Sequence, residues 1–281
     1  MYSCGKVAVS LVVGILVDRG LLAYEAKVET YWPEFGKNGK EGLTLADILR
    51  HEGGLEYLEH VFEDSDFTRE NIKDNCVGKW LQEEPAHWEN PEISRRAYHS
   101  ITRGWILNEI VRRVDPKGRT VGEILYDDVT SDGIFCGLPE SQAHLVAPQQ
   151  AKSLSWLVAQ AMTPAFACDT SVEITPADVV RGILDGSKKN LKTLECLKGV
   201  STDTSVTHKH WQQYHVRRTE QPSGNFNASA RGMAWIAHIM ANEGVDPKGK
   251  RVLSQEACFK MHSNPKEALD MVMGNLQVII F

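Results

Sequence analysis

The sequence is poor in the patterns that announce a function at first reading. Its six cysteines, Cys4, Cys76, Cys136, Cys168, Cys196 and Cys258, include no Cys-x-x-Cys pair, which removes the usual zinc and dithiol redox frameworks. In a chain of 281 residues such scattered cysteines are expected to be buried thiols. There is no block of Lys or Arg, and 31 basic against 37 acidic residues leave a net charge of −6. Phosphate binding needs a basic surface, so no nucleic-acid partner is expected. No apolar run reaches the roughly 18 residues of a membrane-spanning helix, so no membrane span is expected. The longest, Val7 to Val17, follows one lysine and imitates the core of a signal peptide, but Asp18-Arg19-Gly20 arrives before any small-x-small cleavage site. The compartment stays open. No internal repeat, low-complexity tract or HExxH zinc signature is present, and neither a cofactor nor a metal is expected.

What remains is an ordinary globular composition, 42% hydrophobic and 24% charged, in a chain long enough to bury a sizeable core. The run Val7 to Val17 is apolar on nearly every side, which predicts a helix in the centre of a domain. Thr44 is expected to cap a short helix reaching about Arg50 and closed by Gly53 and Gly54. Thr68 to Glu84 reads as one capped helix, and Ser94 to Val114 as the longest, ended by Asp115-Pro116-Lys117-Gly118. Thr120 opens another that runs through Val129. "GIFCGL" and "HLVAP" read as short strands around Pro139, and Gln149 to Pro222 as a stretch rich in long loops. Helices are expected from Ser229 to Glu243 and from Ser254 to His262. Leu276 to Phe281 reads as a strand with nothing after it to pair with. The pattern is mostly helical, with few strands.

Two small constellations can carry chemistry. In "SCGK", Ser3 and Lys6 stand three apart at the start of a helix, which puts both side chains on one face. A helix start offers free N–H groups and positive potential, and burial lowers a lysine pKa until the amine can take a proton from serine. The plain alternative is Ser3 as a bare N-cap and Lys6 as a solvated first-turn residue. Ser-x-x-Lys is a common pattern: Ser263-Asn264-Pro265-Lys266 also fits and reads as a loop. In Tyr98-His99-Ser100, the tyrosine can relay a proton and Ser100 can turn a hydroxyl towards the same cleft; the alternative is a packed ring with its hydroxyl at the surface. "HKHWQQYH", with His208, His210 and His215, has no carboxylate or cysteine among its residues and reads as surface histidines on a loop. Asn227-Ala228-Ser229 is a glycosylation sequon, though Ser229 reads first as the N-cap of its helix.

Taken in order, these segments resemble the serine β-lactamase-related family of class C β-lactamases, D-Ala-D-Ala carboxypeptidases, esterases and animal β-lactamase-like proteins. The resemblance is carried by "SCGKVAVSLVVGILVDRGLLAYEAKVETYWPEFGKNGKEGLTLADILRHEGGL", "AYHSITRGWILNEIVRRVDPKGRTVGEIL", "IFCGLPESQAHLVAP" and "NASARGMAWIAHIMANEG". It covers most of the chain from Ser3 to about Asn275 and is weakest between Pro164 and Gln221. It implies an α+β fold of the β-lactamase/transpeptidase-like type, one domain over 1–281 with a variable insert at about 164–221. It also implies acyl-enzyme hydrolysis of a small-molecule ester or amide, including β-lactam or peptide-like substrates, with no cofactor. Carried over by position, Ser3 is the nucleophile, Lys6 its partner, Tyr98 the proton relay and Ser100 the substrate-binding side chain in the slot of an asparagine.

The chain also departs from that family. Serine at Ser100 makes a strict penicillinase less expected. No Lys-Thr-Gly, Lys-Ser-Gly, His-Thr-Gly or His-Gly-Gly follows Tyr98. That third motif brings the second oxyanion donor, and losing one such donor costs on the order of 10²–10³ in rate. Relatives carry strands and a helix before the serine and run on past the last residues here. The expectation is therefore a domain truncated at both ends, mostly its helical part, with much of the central antiparallel sheet missing. Val7 to Val17 would then show a large apolar face that invites self-association. The alternative function is a catalytically inactive remnant that acts as a protein-binding module.

Overall fold

The computed structural model of the protein describes residues 2–88, 91–130, 133–148, 193–200, 204–273 and 276–279. Its helices are α1 (Lys6–Asp18), α2 (Leu45–Leu49), α3 (Arg69–Lys73), α4 (Gly78–Leu81), α5 (Thr102–Val114), α6 (Val121–Ile124), α7 (Thr204–Gln212), α8 (Tyr214–Arg218), α9 (Ala230–Ala241) and α10 (Gln255–His262). Among the described residues the strands form two antiparallel ribbons. In one, β1 (Ile134–Phe135) pairs with β2 (Asn227–Ala228); in the other, β3 (Lys266–Leu269) pairs with β4 (Leu276–Ile279), Lys266 opposite Ile279.

The core is built around α1. Ala8, Val9, Leu11, Val12, Val13, Ile15 and Leu16 are all buried, and α1 packs against α5, α6, α9 and α10. Each fully buried Leu, Ile or Val contributes about 1.5–3 kcal/mol, so this helix anchors the domain. The expected large exposed apolar face is not found: Val7, 48% exposed, is the one apolar α1 residue left largely open. Neighbouring helices cover the rest. Trp105 of α5 packs on Phe67 and Phe62, with ring centroids 4.4 and 5.2 Å away, and ties the 60s turn to the same core.

Local signals place several helix starts where the sequence puts them. The Thr44 hydroxyl accepts from Asp47 N–H at 3.1 Å while Asp47 accepts from Thr44 N–H at 2.9 Å, a reciprocal capping box. Thr120 and Glu123 form a second one. Ser229 and Ser254 cap α9 and α10 by accepting from Gly232 N–H and Ala257 N–H.

Elsewhere the structure differs from the expectation. Thr68 to Glu84 is two helices, α3 and α4, because Asn75 turns left-handed between them (φ 63°). The α2 helix is closed by His51, not by the glycines; His51 takes a left-handed φ of 63°. The long helix begins at Thr102. Residues 94–100 stay non-helical because their N–H groups are claimed from afar: Ala97 N–H by His51 O, Tyr98 N–H by Asp270 Oδ1 and His99 N–H by His51 Nδ1. "HLVAP" is not a strand; Glu140–Leu145 is a 3₁₀ helix. The segment from Thr204 to Arg218 is helical rather than loop, and His210 is buried against Asp64 at 3.2 Å. β4 does find a partner, by pairing back onto β3. That pairing makes Lys266 the first residue of a strand instead of part of a loop.

Of the cysteines, Cys136, Cys196 and Cys258 are buried free thiols, Cys4 is exposed and Cys76 intermediate, and Cys168 lies outside the described residues. Among the described residues no helix is long and apolar enough to cross a membrane, and no group of three or more His, Cys, Asp or Glu is placed to hold a metal ion.

Candidate active site

The chemistry-bearing residues converge at the start of α1. Ser3 lies in the 3₁₀ turn Tyr2–Gly5 that leads into the helix, so it is not the N-cap; that position is Gly5, with no side-chain cap. Gly5 is there because the chain passes close to Phe226, whose ring occupies the space of a Cβ. Lys6, the first residue of α1, is only 9% exposed, which removes the reading of a solvated first-turn lysine.

Ser3 Oγ is held from two sides. Tyr98 donates its hydroxyl to Ser3 Oγ at 2.5 Å, and Lys6 Nζ lies 3.1 Å from the same oxygen. Lys6 Nζ also donates to Ser100 O at 2.7 Å and Ser223 O at 3.2 Å, and it sits 5.1 Å from the centre of the Tyr98 ring. These contacts bring together parts of the chain 94 and 217 residues away from Lys6.

The electrostatics sort the two titratable groups. Burial, reinforced by the Arg103 guanidinium, holds the Lys6 amine well below the usual lysine range. Burial pushes the Tyr98 phenol up, although its bond to Ser3 works the other way. Both shifts work the same way, towards an amine with a free lone pair beside a phenol that keeps its proton. A neutral lysine has two N–H bonds for the Ser100 and Ser223 carbonyls, and its lone pair is then left for the Ser3 hydroxyl proton. The arrangement can deprotonate Ser3 at Lys6 and deliver a proton from Tyr98.

The strand-like segment carrying Tyr98 is braced from behind. His99 is fully buried, accepts Leu55 N–H at Nε2 (3.0 Å), and has Nδ1 2.5 Å from Ala97 O; burial lowers its pKa to about 4, so the ring stays neutral. Ser100, the fourth expected site residue, takes part through its carbonyl, while its hydroxyl donates to Thr193 Oγ1 at 2.9 Å. Sequence reasoning missed Ser223, Arg103 and Thr193. Only Ser223 had a local signal: Pro222-Ser223-Gly224-Asn225 is turn chemistry, and a turn exposes carbonyls.

The sequence model of the family described as Beta-lactamase matches residues 1–271. The chain belongs to the Beta-lactamase family. Within it, this beta-lactamase-family chain is 27% identical over 272 residues to the protein named Esterase/beta-lactamase LipL of Mycobacterium tuberculosis, a match covering 96% of the chain and 56% of LipL. Among solved structures it is similar to a penicillin-binding protein homolog from Caulobacter crescentus (25% identity, TM-score 0.71) and to EstA from Arthrobacter nitroguajacolicus Rue61a (25%, TM-score 0.70). These likenesses cover all of the chain and 65% and 66% of the two structures. A family VIII carboxylesterase shares the fold with TM-score 0.73 at 24% identity over 65% of its length. The chain thus spans between about half and two thirds of the length of these relatives. Its fold is of the β-lactamase/transpeptidase-like α+β type.

Proposed function

We propose that the protein is a serine hydrolase that cleaves a small-molecule ester through an acyl-enzyme. The observation that carries the reading is Ser3 Oγ held between Tyr98 OH at 2.5 Å and Lys6 Nζ at 3.1 Å. Ser3 Oγ attacks the ester carbonyl carbon and its proton passes to the neutral Lys6 amine. The tetrahedral intermediate collapses, the C–O bond to the alcohol breaks, and the departing oxygen takes its proton from Tyr98, which Lys6 re-protonates. Water then attacks the acyl carbon and releases the acid and free Ser3. The relative named Esterase/beta-lactamase LipL supports an ester as a substrate class. An amide, including a β-lactam or peptide-like one, asks more of the leaving group and of the oxyanion donors, and no Lys-Thr-Gly-type motif follows Tyr98.

The non-catalytic reading, a protein-binding remnant, rests on that same missing motif. It loses the exposed α1 face on which a binding role was based, since α1 is covered. The two readings part on one experiment: labelling by a fluorophosphonate probe and hydrolysis of p-nitrophenyl esters, with Ser3→Ala as control. Labelling and turnover that vanish in Ser3→Ala support the hydrolase; equal inertness of both proteins ends it.

A further inference from the structure

A second feature of the same helix cluster borders the acyl-transfer site without including Ser3. A cavity of about 550 Å³ opens between α1, α5, α9 and α10. That is within the range of small-molecule sites. Leu49, Met240 and Met261 give it apolar walls, and its polar side is made by Lys6, Ser10, His51, Arg103 and His262. No acidic residue lines it.

Arg103 is the unusual member. It is 4% exposed, and no carboxylate pairs with it among the described residues. Its Nε donates to Leu49 O at 3.1 Å and one Nη2 hydrogen to Ser10 Oγ at 3.0 Å, while Nη1 has no hydrogen-bond partner. Burying a guanidinium against methionine and leucine is costly unless an anion and its hydrogen bonds offset it. Nη1 is itself closed off within the protein, so the Nη2 hydrogen that Ser10 leaves free is the one a carboxylate can accept, and the thioether and leucine walls suit an alkyl chain attached to it.

We infer that this cavity is a binding site for an aliphatic monocarboxylate, its carboxylate on Arg103 and its chain against Leu49, Met240 and Met261. The site stands apart from the nucleophile: binding requires Arg103 and the apolar walls, not acylation of Ser3. It shares Lys6 as a wall, so an anion held there also lies beside the amine that faces Ser3.

The test is calorimetric titration of the full chain with octanoate and, as its neutral counterpart, 1-octanol. Octanoate is expected to bind saturably and 1-octanol at least about tenfold more weakly, the scale of one charge-assisted hydrogen bond. Arg103→Gln is expected to remove that preference. Ala237→Trp, which fills the cavity from its exposed rim without touching the buried charge, is expected to abolish binding of both ligands and serves if Arg103→Gln does not fold. Ser3→Ala is expected to bind octanoate as the wild type does, so loss of hydrolase activity and loss of this site are read separately. Absent octanoate binding, equal binding of acid and alcohol, or octanoate binding unaffected by Ala237→Trp overturns the inference.

Discussion

Gly104 of α5 lies directly against Ser223: its N–H donates to Ser223 Oγ at 2.8 Å, and a Cβ on Gly104 would sit 2.6 Å from that oxygen and collide with the Ser223 backbone. Ser223 in turn offers its carbonyl to Lys6 Nζ. A close approach between a helix and a turn thus sets one of the three contacts of the lysine beside Ser3.

Gly104→Ala tests that link. The obstruction is backbone, which cannot rotate away, so the turn must shift. We expect a loss of about 1–3 kcal/mol in stability, typical of overpacking. Chemical denaturation measures it, and fluorophosphonate labelling of Ser3 is expected to slow well beyond what that loss explains. Unchanged labelling would separate Ser223 from the site.

The lowered Lys6 pKa makes two statements about pH. Between its depressed folded value and the unfolded lysine value of about 10.4, the unfolded chain binds a proton that the folded chain lacks. Stability from this group therefore rises with pH across that window, the reverse of a lysine that gains an anionic partner. Urea midpoints compared between neutral pH and pH of about 9.5 should rise more in the wild type than in Lys6→Met. Labelling of Ser3 should fall as pH drops through the Lys6 value, because the protonated amine no longer accepts the serine proton. A flat labelling profile would remove Lys6 as the base.

Asp270 holds the Tyr98 segment in place. It is fully buried, and Oδ1 accepts N–H bonds from Tyr98 at 3.2 Å, Val272 at 3.0 Å and Met273 at 2.8 Å. Asp270→Ala leaves these donors unsatisfied, a cost of about 1–3 kcal/mol for each that stays buried. Asp270→Asn keeps an acceptor oxygen. The expectation is a strong fall in Ser3 labelling for the alanine variant with substantial rescue by asparagine. Equal behaviour of the two variants would assign Asp270 a purely electrostatic role.

Arg96 and Glu52 form a buried ion pair at 2.9 Å, and Lys266 Nζ reaches the other Glu52 oxygen at 2.7 Å. The pair joins the turn after α2 to the segment before Tyr98 and to β3. Arg96→Met alone should be clearly destabilising but cost less than the about 3–5 kcal/mol of a fully stranded charge, because Lys266 still pairs with Glu52. The double variant Arg96→Met/Glu52→Leu should recover much of that loss. Denaturation of the two single variants and the double variant checks this as a cycle; additive losses would contradict a coupled pair.

Much of the helical frame is local physics and was legible in the residues. The apolar run Val7 to Val17 reads as a buried helix, and Thr44, Thr120, Ser229 and Ser254 cap helices with side chains within three residues of their partners. Ser3 and Lys6 share a helix start, so their 3.1 Å contact follows from spacing alone. What the sequence could not determine needed partners far along the chain. Tyr98 leaves the helix expected of it because His51 and Asp270 take the N–H groups of its segment, and β4 finds a strand behind it rather than ahead. The Lys6 amine falls well below the usual lysine range only because the closed core buries it beside Arg103. Periodicity reports the faces of one element; desolvation and long-range hydrogen bonds depend on which elements meet, and that is decided only when the core closes.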